Sequence, residues 1–208
     1  MESVSGRDLE ALRWVDEQYA VRVDQLARLL GRTERTVQRW TRRMAGRGWV
    51  ELRRLLVDEP AYVWLTPQGR REAQTGFGPW EPRVGRLAHV AAVVDVRLYI
   101  EERSPGSVWA SERVLRRELA ASEHLPDAVV TTAGERHAIE VELTPKARRR
   151  AFSTIEELGR RYDRTLYFCT PAAWRQVEEL RRSHELPKLA VRPLPGPAAA
   201  PADQRAAA

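Results

Sequence analysis

Two short segments decide how the second half of this chain folds: LPDAVV at residues 125–130 and AIEVELTPK at residues 138–146. Both are predicted to be β-strands, and the residues between them predict a hairpin turn. The two strands bring three carboxylates, those of Asp127, Glu140 and Glu142, to one end of a small sheet. Acids grouped in this way indicate a site for metal ions.

Side chains on a strand alternate between its two faces, so Glu140 and Glu142 point the same way. Asp127, on the neighbouring strand, can reach that face. Hard divalent cations such as Mg²⁺ bind carboxylate oxygens and keep several waters. A basic run at residues 146–150 follows directly and favours a phosphate backbone close by. A second interpretation stays open, in which the two glutamates form a polar strand face that pairs with the arginines at 148–150.

The composition indicates a globular protein with a polyanionic partner. The chain has 208 residues, of which 43% are hydrophobic and 31% charged, and its formal net charge is +6. A basic balance favours nucleic acid. The single cysteine, Cys169, excludes a disulfide framework and a multi-cysteine zinc site. No signal peptide is evident, and no apolar run approaches the roughly 18 residues that a membrane span needs, so we expect a cytoplasmic protein with no membrane partner.

The N-terminal third predicts a compact set of helices closed by a hairpin. The elements are helices at residues 8–19, 24–30 and 34–47, strands at 49–55 and 61–65, and a helix that opens at 66–67. This order is the winged helix-turn-helix plan, and residues 8–73 resemble bacterial winged-helix DNA-binding domains. The segments VDQLARLLG at 23–31 and YVWLTPQGR at 62–70 carry the resemblance.

The third helix predicts an apolar face, with Val37, Trp40 and Met44 inward, and a basic face opposite. Arginine can bridge guanine acceptors or clamp phosphate, and glutamine can bind adenine. The residues predicted to contact DNA are Arg32, Arg35, Gln38, Arg39, Arg42 and Arg43 around this helix, and Arg53 and Arg54 on the wing. The alternative is a solvated basic face that contacts other proteins.

The rest of the chain predicts a second domain after a linker rich in glycine and proline. The predicted limits are 1–75 for the DNA-binding domain, 76–83 for the linker, 84–192 for the second domain and 193–208 for a disordered tail. The second domain's elements are a helix at 84–102, a strand at 107–112, a helical stretch at 113–121, strands at 127–132 and 137–144, a helix at 146–162, a strand at 164–170, a helix at 171–184 and an edge strand at 189–192.

Residues 84–192 resemble the PD-(D/E)xK nuclease-like fold, on Pro126-Asp127 in one strand and Glu140-Val141-Glu142 in the next. The fold class is therefore α/β and α+β, a winged helix-turn-helix followed by a PD-(D/E)xK-like α-β-β-β-α-β domain. The resemblance implies that Asp127 and Glu140 bind Mg²⁺, with Glu112 as a third ligand. The motif's lysine is replaced here by Glu142; Lys146 is the first candidate to substitute for it and Arg148 a weaker one. The implied catalytic set is Asp127, Glu140, Glu142 and Lys146.

The whole chain is similar to the replication-relaxation family of plasmids and mobile elements. The family resemblance implies a protein that binds double-stranded DNA and works with replication or transfer proteins. Two functions remain open. One is a Mg²⁺-dependent DNA endonuclease. The other is a non-enzymatic regulator whose second domain forms a homodimer or contacts another protein.

Overall fold

The computed structural model describes residues 4–118 and 124–196. Within these residues the chain has a mixed α/β fold with eight helices and two sheets. It divides into two compact units, the first ending at Val94 and the second running from Asp95 to Gly196. None of the helices described is both long enough and apolar enough to cross a bilayer.

The first unit is a helical cluster with a three-stranded antiparallel sheet. Its elements are α1 (Gly6–Glu17), β1 (Val21–Arg22), α2 (Val23–Leu30), α3 (Glu34–Gly46), β2 (Val50–Arg53), β3 (Tyr62–Leu65) and α4 (Pro67–Ala73). β3 lies between β1 and β2 and is antiparallel to both. The predicted helices and strands are all present within a few residues of their expected bounds. β1 was not predicted, because two residues are too few to show an alternating pattern.

Local signals set the ends of these helices. Gly31 ends α2 in the left-handed conformation, with φ of 57°, which glycine adopts without steric strain. Thr33 then caps α3, its hydroxyl accepting a hydrogen bond from the Thr36 N–H. Thr66 caps α4 in the same way, through the Gly69 N–H at 3.0 Å. The turn between α2 and α3 is therefore short and fixed.

The long helix α5 (Val84–Arg103) begins in the first unit and ends in the second. Its first half packs Leu87, Val90 and Ala91 against Tyr62 and Trp64 of β3. The predicted second domain starts at residue 84, whereas the second compact unit starts at Asp95, because the apolar face of early α5 is needed to close the first core.

The predicted linker also takes part in the first unit. Trp80 packs against that same core, with its ring centroid 5.8 Å from that of Tyr19. Residues 76–83 therefore lie against the first unit at this tryptophan.

The second unit is built on one five-stranded sheet. Its elements after α5 are β4 (Val108–Ser111), α6 (Glu112–Glu118), β5 (Ala128–Thr132), β6 (Glu135–Glu142), α7 (Arg148–Arg161), β7 (Arg164–Cys169), α8 (Pro171–Ser183) and β8 (Leu189–Pro193). The strands lie in chain order, β4 to β6 antiparallel and β6 to β8 parallel. The predicted order of elements is present. Residues 119–121 of the predicted helix and 197–208 of the predicted tail lie outside the described residues.

Two features of the sheet determine where its polar side chains go. The β5–β6 turn places Ala133 and Gly134 at positive φ, 49° and 83°, as a two-residue hairpin of the favoured hand requires. This turn fixes the register between β5 and β6. In the parallel pair, Glu140 lies opposite Tyr167, so these two side chains share one face. Tyr167 packs in the core formed with α7 and α8, and Glu140 therefore points toward the same two helices.

The close contact between α4 and Trp49, just before β2, predicts that a larger residue at Gly69 lowers the stability of the first unit. A Cβ atom added at Gly69 would lie 1.9 Å from the carbonyl oxygen of Trp49. Gly69→Ala should therefore destabilise the first unit by about 2 to 3 kcal/mol, as overpacking does, measured by urea unfolding. Gly85→Ala is the matched control, since its Cβ would meet nothing within 4 Å and should change stability by about 1 kcal/mol or less. Equal stability of the two variants would contradict this packing.

Candidate functional site

The charged side chains of the second unit meet at one end of its sheet. Asp127 immediately precedes β5, Glu140 and Glu142 end β6, and Lys146 lies between β6 and α7. We call these four residues the charged cluster. Since β6, β7 and β8 are parallel, the cluster lies at their carboxyl ends, where open sheets of this kind bind ligands.

Asp127 is fixed by a backbone contact. The register between β5 and β6 ends with Ala128 opposite Ile139. Beyond that point the Oδ2 atom of Asp127 accepts a hydrogen bond from the Val141 N–H at 2.7 Å. The side chain therefore continues the hydrogen bonding of the ladder, and its carboxylate has a defined position between the two strands.

Glu140 is the most perturbed acid of the cluster. Only 4% of the residue is exposed. Burial, followed by the negative charge of Asp127, raises its pKa to about 7. A hydrogen bond with His124, with 3.3 Å between Nε2 and Oε1, and the charge of Lys146 act in the opposite direction. Two carboxylates so close together attract either a proton or a cation.

Lys146 reaches the acids, as its predicted substitution for the motif lysine requires. Its Nζ atom lies 2.6 Å from Oε2 of Glu142. Partial burial opposes the charge on Lys146, but the hydrogen bond to Glu142 and the charges of Glu140, Glu142 and Asp127 together raise its pKa. The ammonium group therefore stays charged within the field of all three acids.

The segment that carries Lys146 is held from the other side by α8. The hydroxyl of Thr170 donates to the Leu143 carbonyl at 2.8 Å, and the Thr170 N–H donates to the Glu142 carbonyl at 3.1 Å. Gln176 donates through Nε2 to the carbonyl of Lys146 itself at 2.6 Å. Hydrogen bonds thus fix the path of residues 142–146 at both of its ends.

Glu112, the predicted third ligand, begins α6, and its carboxylate forms a salt bridge with Arg116 one turn later. Its backbone N–H donates to the Asp127 carbonyl at 3.0 Å, so Glu112 lies next to the charged cluster, and its role as a ligand stays a prediction. Across residues 4–118 and 124–196, no group of three or more His, Cys, Asp or Glu side chains could hold a metal ion.

His124 belongs to the site, although no motif or spacing singled it out. The hydrogen bond to Glu140 raises the pKa of His124, while burial lowers it. Its backbone is held on both sides, by Glu157 accepting from its N–H at 3.2 Å and by Arg161 donating to its carbonyl at 2.9 Å. These contacts join distant segments, so no spacing in the sequence signals them.

In the first unit, the predicted DNA-contacting side chains lie mostly on the surface. The exposed ones are Arg32, Arg35, Gln38, Arg39, Arg42, Arg53 and Arg54. Val37 and Met44 of α3 are buried, as predicted, and Trp40 is half-buried. α3 also exposes Glu34 and Gly46; its exposed basic and amide side chains, those of Arg35, Gln38, Arg39 and Arg42, form what we call the α3 basic face.

A polar groove joins this face to the β2–β3 loop. Gln38 and Arg42 of α3 and Arg54 beyond β2 line one pocket of about 610 Å³, together with the acidic Asp58 and Glu59. The guanidinium of Arg53 forms a 3.0 Å salt bridge with Glu51. Glu34 of α3 also lines the groove, which therefore presents donors for a polyanion interspersed with carboxylates.

Arg43 differs from the other seven predicted residues. Its guanidinium forms a 3.0 Å salt bridge with Asp8 of α1, and Asp8 also accepts a 2.6 Å hydrogen bond from the indole N–H of Trp40. Partial burial opposes ionisation of Asp8, but hydrogen bonds from Ser5 and Trp40 and the charge of Arg43 lower its pKa. Asp8, which the sequence did not single out, anchors α3 to α1.

Comparison with known proteins adds no relative. A scan against models of protein families and a search of curated proteins both find no match.

The raised pKa of Glu140 predicts how stability depends on pH when no divalent metal is present. The protonated form stabilises the fold fully below its ordinary pKa of 4.5, and this contribution is lost as the pH rises through about 7. Glu140→Gln, which stays neutral, should therefore exceed the wild type in stability by roughly 1 to 3 kcal/mol at about pH 8. The difference in stability between Glu140→Gln and the wild type should vanish near pH 4.5.

Thermal unfolding in a chelating buffer, followed across this range, measures the effect. Glu156→Gln, an exposed change on α7, is the control and should follow the wild type at every pH. A wild type that gains stability relative to Glu140→Gln as the pH rises would show instead that Glu140 is charged and well paired.

Proposed function

We propose that this chain is a cytoplasmic DNA-binding protein of plasmid or mobile-element replication and relaxation, of the replication-relaxation kind. Its first unit would act as a winged helix-turn-helix domain on double-stranded DNA. Its second unit would act as a PD-(D/E)xK-like domain that cleaves a phosphodiester bond with a divalent metal. The observation that carries the proposal is the meeting of Asp127, Glu140 and Lys146 at one end of the sheet.

The α3 basic face supports the DNA-binding part. Arg35, Gln38, Arg39 and Arg42 are exposed on a helix that follows a short turn. A helix presented in this way enters the major groove, and the arginines there bind phosphate or base edges. Arg54, across the groove from Arg42, would contact the neighbouring backbone.

The residues present fit a magnesium ion held by two carboxylates. Mg²⁺ is commonly bound by one or two carboxylates, with waters and substrate oxygens completing its shell. Asp127 and Glu140 would hold it, because a cation between them would offset the repulsion by Asp127 that, after burial, raises the pKa of Glu140. Glu142, already paired with Lys146, would remain outside the first shell. When bound, the ion polarises the phosphate and lowers the pKa of water.

The chain's own residues supply the remaining requirements of hydrolysis. A water oxygen adds to phosphorus, the bond to one bridging oxygen breaks, and that oxygen takes up a proton. The ammonium group of Lys146 lies where it offsets the negative charge that develops on the phosphate oxygens. Glu142 holds it there at 2.6 Å, and Gln176 fixes its backbone. In this arrangement Lys146 would take the role of the lysine that the motif has where Glu142 stands here.

A second candidate is the non-enzymatic regulator, and one observation favours it. Every acid of the charged cluster has a partner within the protein: Val141 for Asp127, His124 for Glu140 and Lys146 for Glu142. Such internal pairing suits a scaffold that has kept its fold without cleaving DNA. The second unit would then form a homodimer or contact a replication protein.

DNA binding is tested by removing two charges from α3. Arg39→Ala with Arg42→Ala should weaken binding to duplex DNA about tenfold or more in a mobility-shift assay. The slope of affinity against salt should fall by about two if both residues neutralise phosphates. Arg7→Ala with Arg83→Ala removes two other exposed charges of the same unit and should leave binding unchanged. An equal loss of affinity in the two double variants would mean that DNA binding depends only on the net charge of the protein.

Cleavage is tested with supercoiled plasmid and Mg²⁺ or Mn²⁺. The wild type should nick the plasmid, and Asp127→Ala and Lys146→Ala should each lower the rate by about 100-fold or more, as loss of a group that stabilises the transition state does. Lys188→Ala is the matched control, since Lys146 and Lys188 are the two lysines of the chain. No nicking with either metal would favour the regulator, and nicking that survives Asp127→Ala would assign the activity elsewhere.

A further inference from the structure

A pocket of about 560 Å³ opens beside the charged cluster, within the second unit. It lies where β7 and β8 end and α8 begins, and its walls include Thr170, Pro171, Trp174, Arg175, Pro193 and Leu194. Nearly all of its lining is apolar. The flat indole of Trp174 is half-buried in the wall, and Arg175 is exposed.

The pocket and the cluster lie on the same face of the sheet, at the carboxyl ends of β6 and β7. Cys169, which also lines the pocket, lies opposite Glu142 in the parallel register. The next residue, Thr170, bonds to the Glu142 and Leu143 carbonyls. A group that enters the pocket is therefore held directly beside the segment that ends at Lys146.

The surroundings of the pocket carry positive charge. Arg175 lies among its lining residues and is exposed. Arg149 and Arg150 are also exposed at the start of α7, the helix that follows Lys146, whereas Arg148 beside them is paired with Glu179 of α8 at 2.6 Å. An apolar pocket beneath a basic surface suits a ligand that has a flat apolar body and an anionic backbone.

We propose that this pocket takes a nucleobase that has left the stack, next to the phosphodiester bound at the charged cluster. The proposal rests on the proposed function and specifies its substrate as DNA with an unpaired base. Stacking on tryptophan accepts every base, because each has a π face. The Thr170 hydroxyl already donates to the Leu143 carbonyl, so the pocket should bind bases with little preference among them.

Two fluorescent DNA probes test the proposal, with the full-length protein in a chelating buffer so that no cleavage occurs. One is a fully paired duplex, and the other is the same duplex with one extrahelical 2-aminopurine. The wild type should bind the bulged probe roughly tenfold more tightly than the paired one, as one stacked base predicts. It should also quench the 2-aminopurine fluorescence on binding.

Substitutions in the pocket should remove this preference selectively. Trp174→Ala should bind both probes equally and leave the fluorescence unquenched, whereas Trp174→Phe should retain most of both effects. Arg175→Ala should weaken binding of the bulged probe several-fold. Arg182→Ala, on the same helix but outside the pocket, should not. Leu194→Trp, which fills the pocket, should abolish the preference even if Trp174→Ala fails to fold.

The outcomes separate the pocket from the proposed function. If the wild type binds neither probe, the proposed DNA-binding function fails, and the pocket proposal with it. If it binds both equally, or if Trp174→Ala and Leu194→Trp keep the preference, the pocket proposal is overturned while DNA binding stands. A dimer in sedimentation that Trp174→Ala dissociates would also overturn it, because the pocket would then be a subunit interface.

Discussion

The carboxylate of Glu140 lies inside the second unit, on the sheet face that α7 and α8 cover. Only 4% of the residue is exposed, and the negative charge of Asp127 is nearby. A buried charge of this kind is unfavourable unless it is protonated or balanced by an opposite charge. His124 and Lys146 lie near it; the hydrogen bond to Glu140 raises the pKa of His124, and the hydrogen bond to Glu142, followed by the charge of Glu140, raises the pKa of Lys146 against partial burial. Around this point one face of the sheet therefore changes from apolar packing to a compact set of charges.

The cluster is assembled from segments that are separate in the chain. Asp127 comes from the start of β5 and Glu140 from the end of β6, while Lys146 lies on a segment that α8 holds through Gln176. Asp127 is tied to the backbone of Val141, Glu140 to the ring of His124 and Glu142 to the ammonium group of Lys146. The acids and the lysine are thus held by contacts within the second unit, which is the preorganisation that charge stabilisation in a reaction demands.

Much of the fold could be predicted from the sequence, because periodicity and capping are local properties. The alternation of Glu140 and Glu142 placed both on one face, and Thr33 and Gly31 marked the ends of their helices. β1 escaped detection because it spans only two residues. The salt bridge between Glu112 and Arg116 was not predicted, because the predicted strand ended at Glu112, whereas the strand ends at Ser111 and a helix begins at Glu112, where Arg116 comes within reach.

The site was less predictable, because its contacts depend on tertiary structure. His124 meets Glu140 across two segments, and neither residue's neighbours in sequence indicate the other. Whether Lys146 reached the acids depended on the course of residues 142–146. That course is set by Thr170 and Gln176, which bond to Leu143 and Lys146 from 27 and 30 residues further along. No pattern local to the lysine contains this information.

The two bonds from α8 also set an order of events during synthesis of the protein. Domains fold as the chain emerges from the ribosome, from the N-terminus onward. The acids of β5 and β6 emerge first, but the bonds from Thr170 and Gln176 to Leu143 and Lys146 cannot form until α8 has been made. A nascent chain that stops before α8 therefore carries the acids without a fixed lysine. The described part of the first unit, which ends at Val94, is synthesised well before the cluster in the second unit is complete.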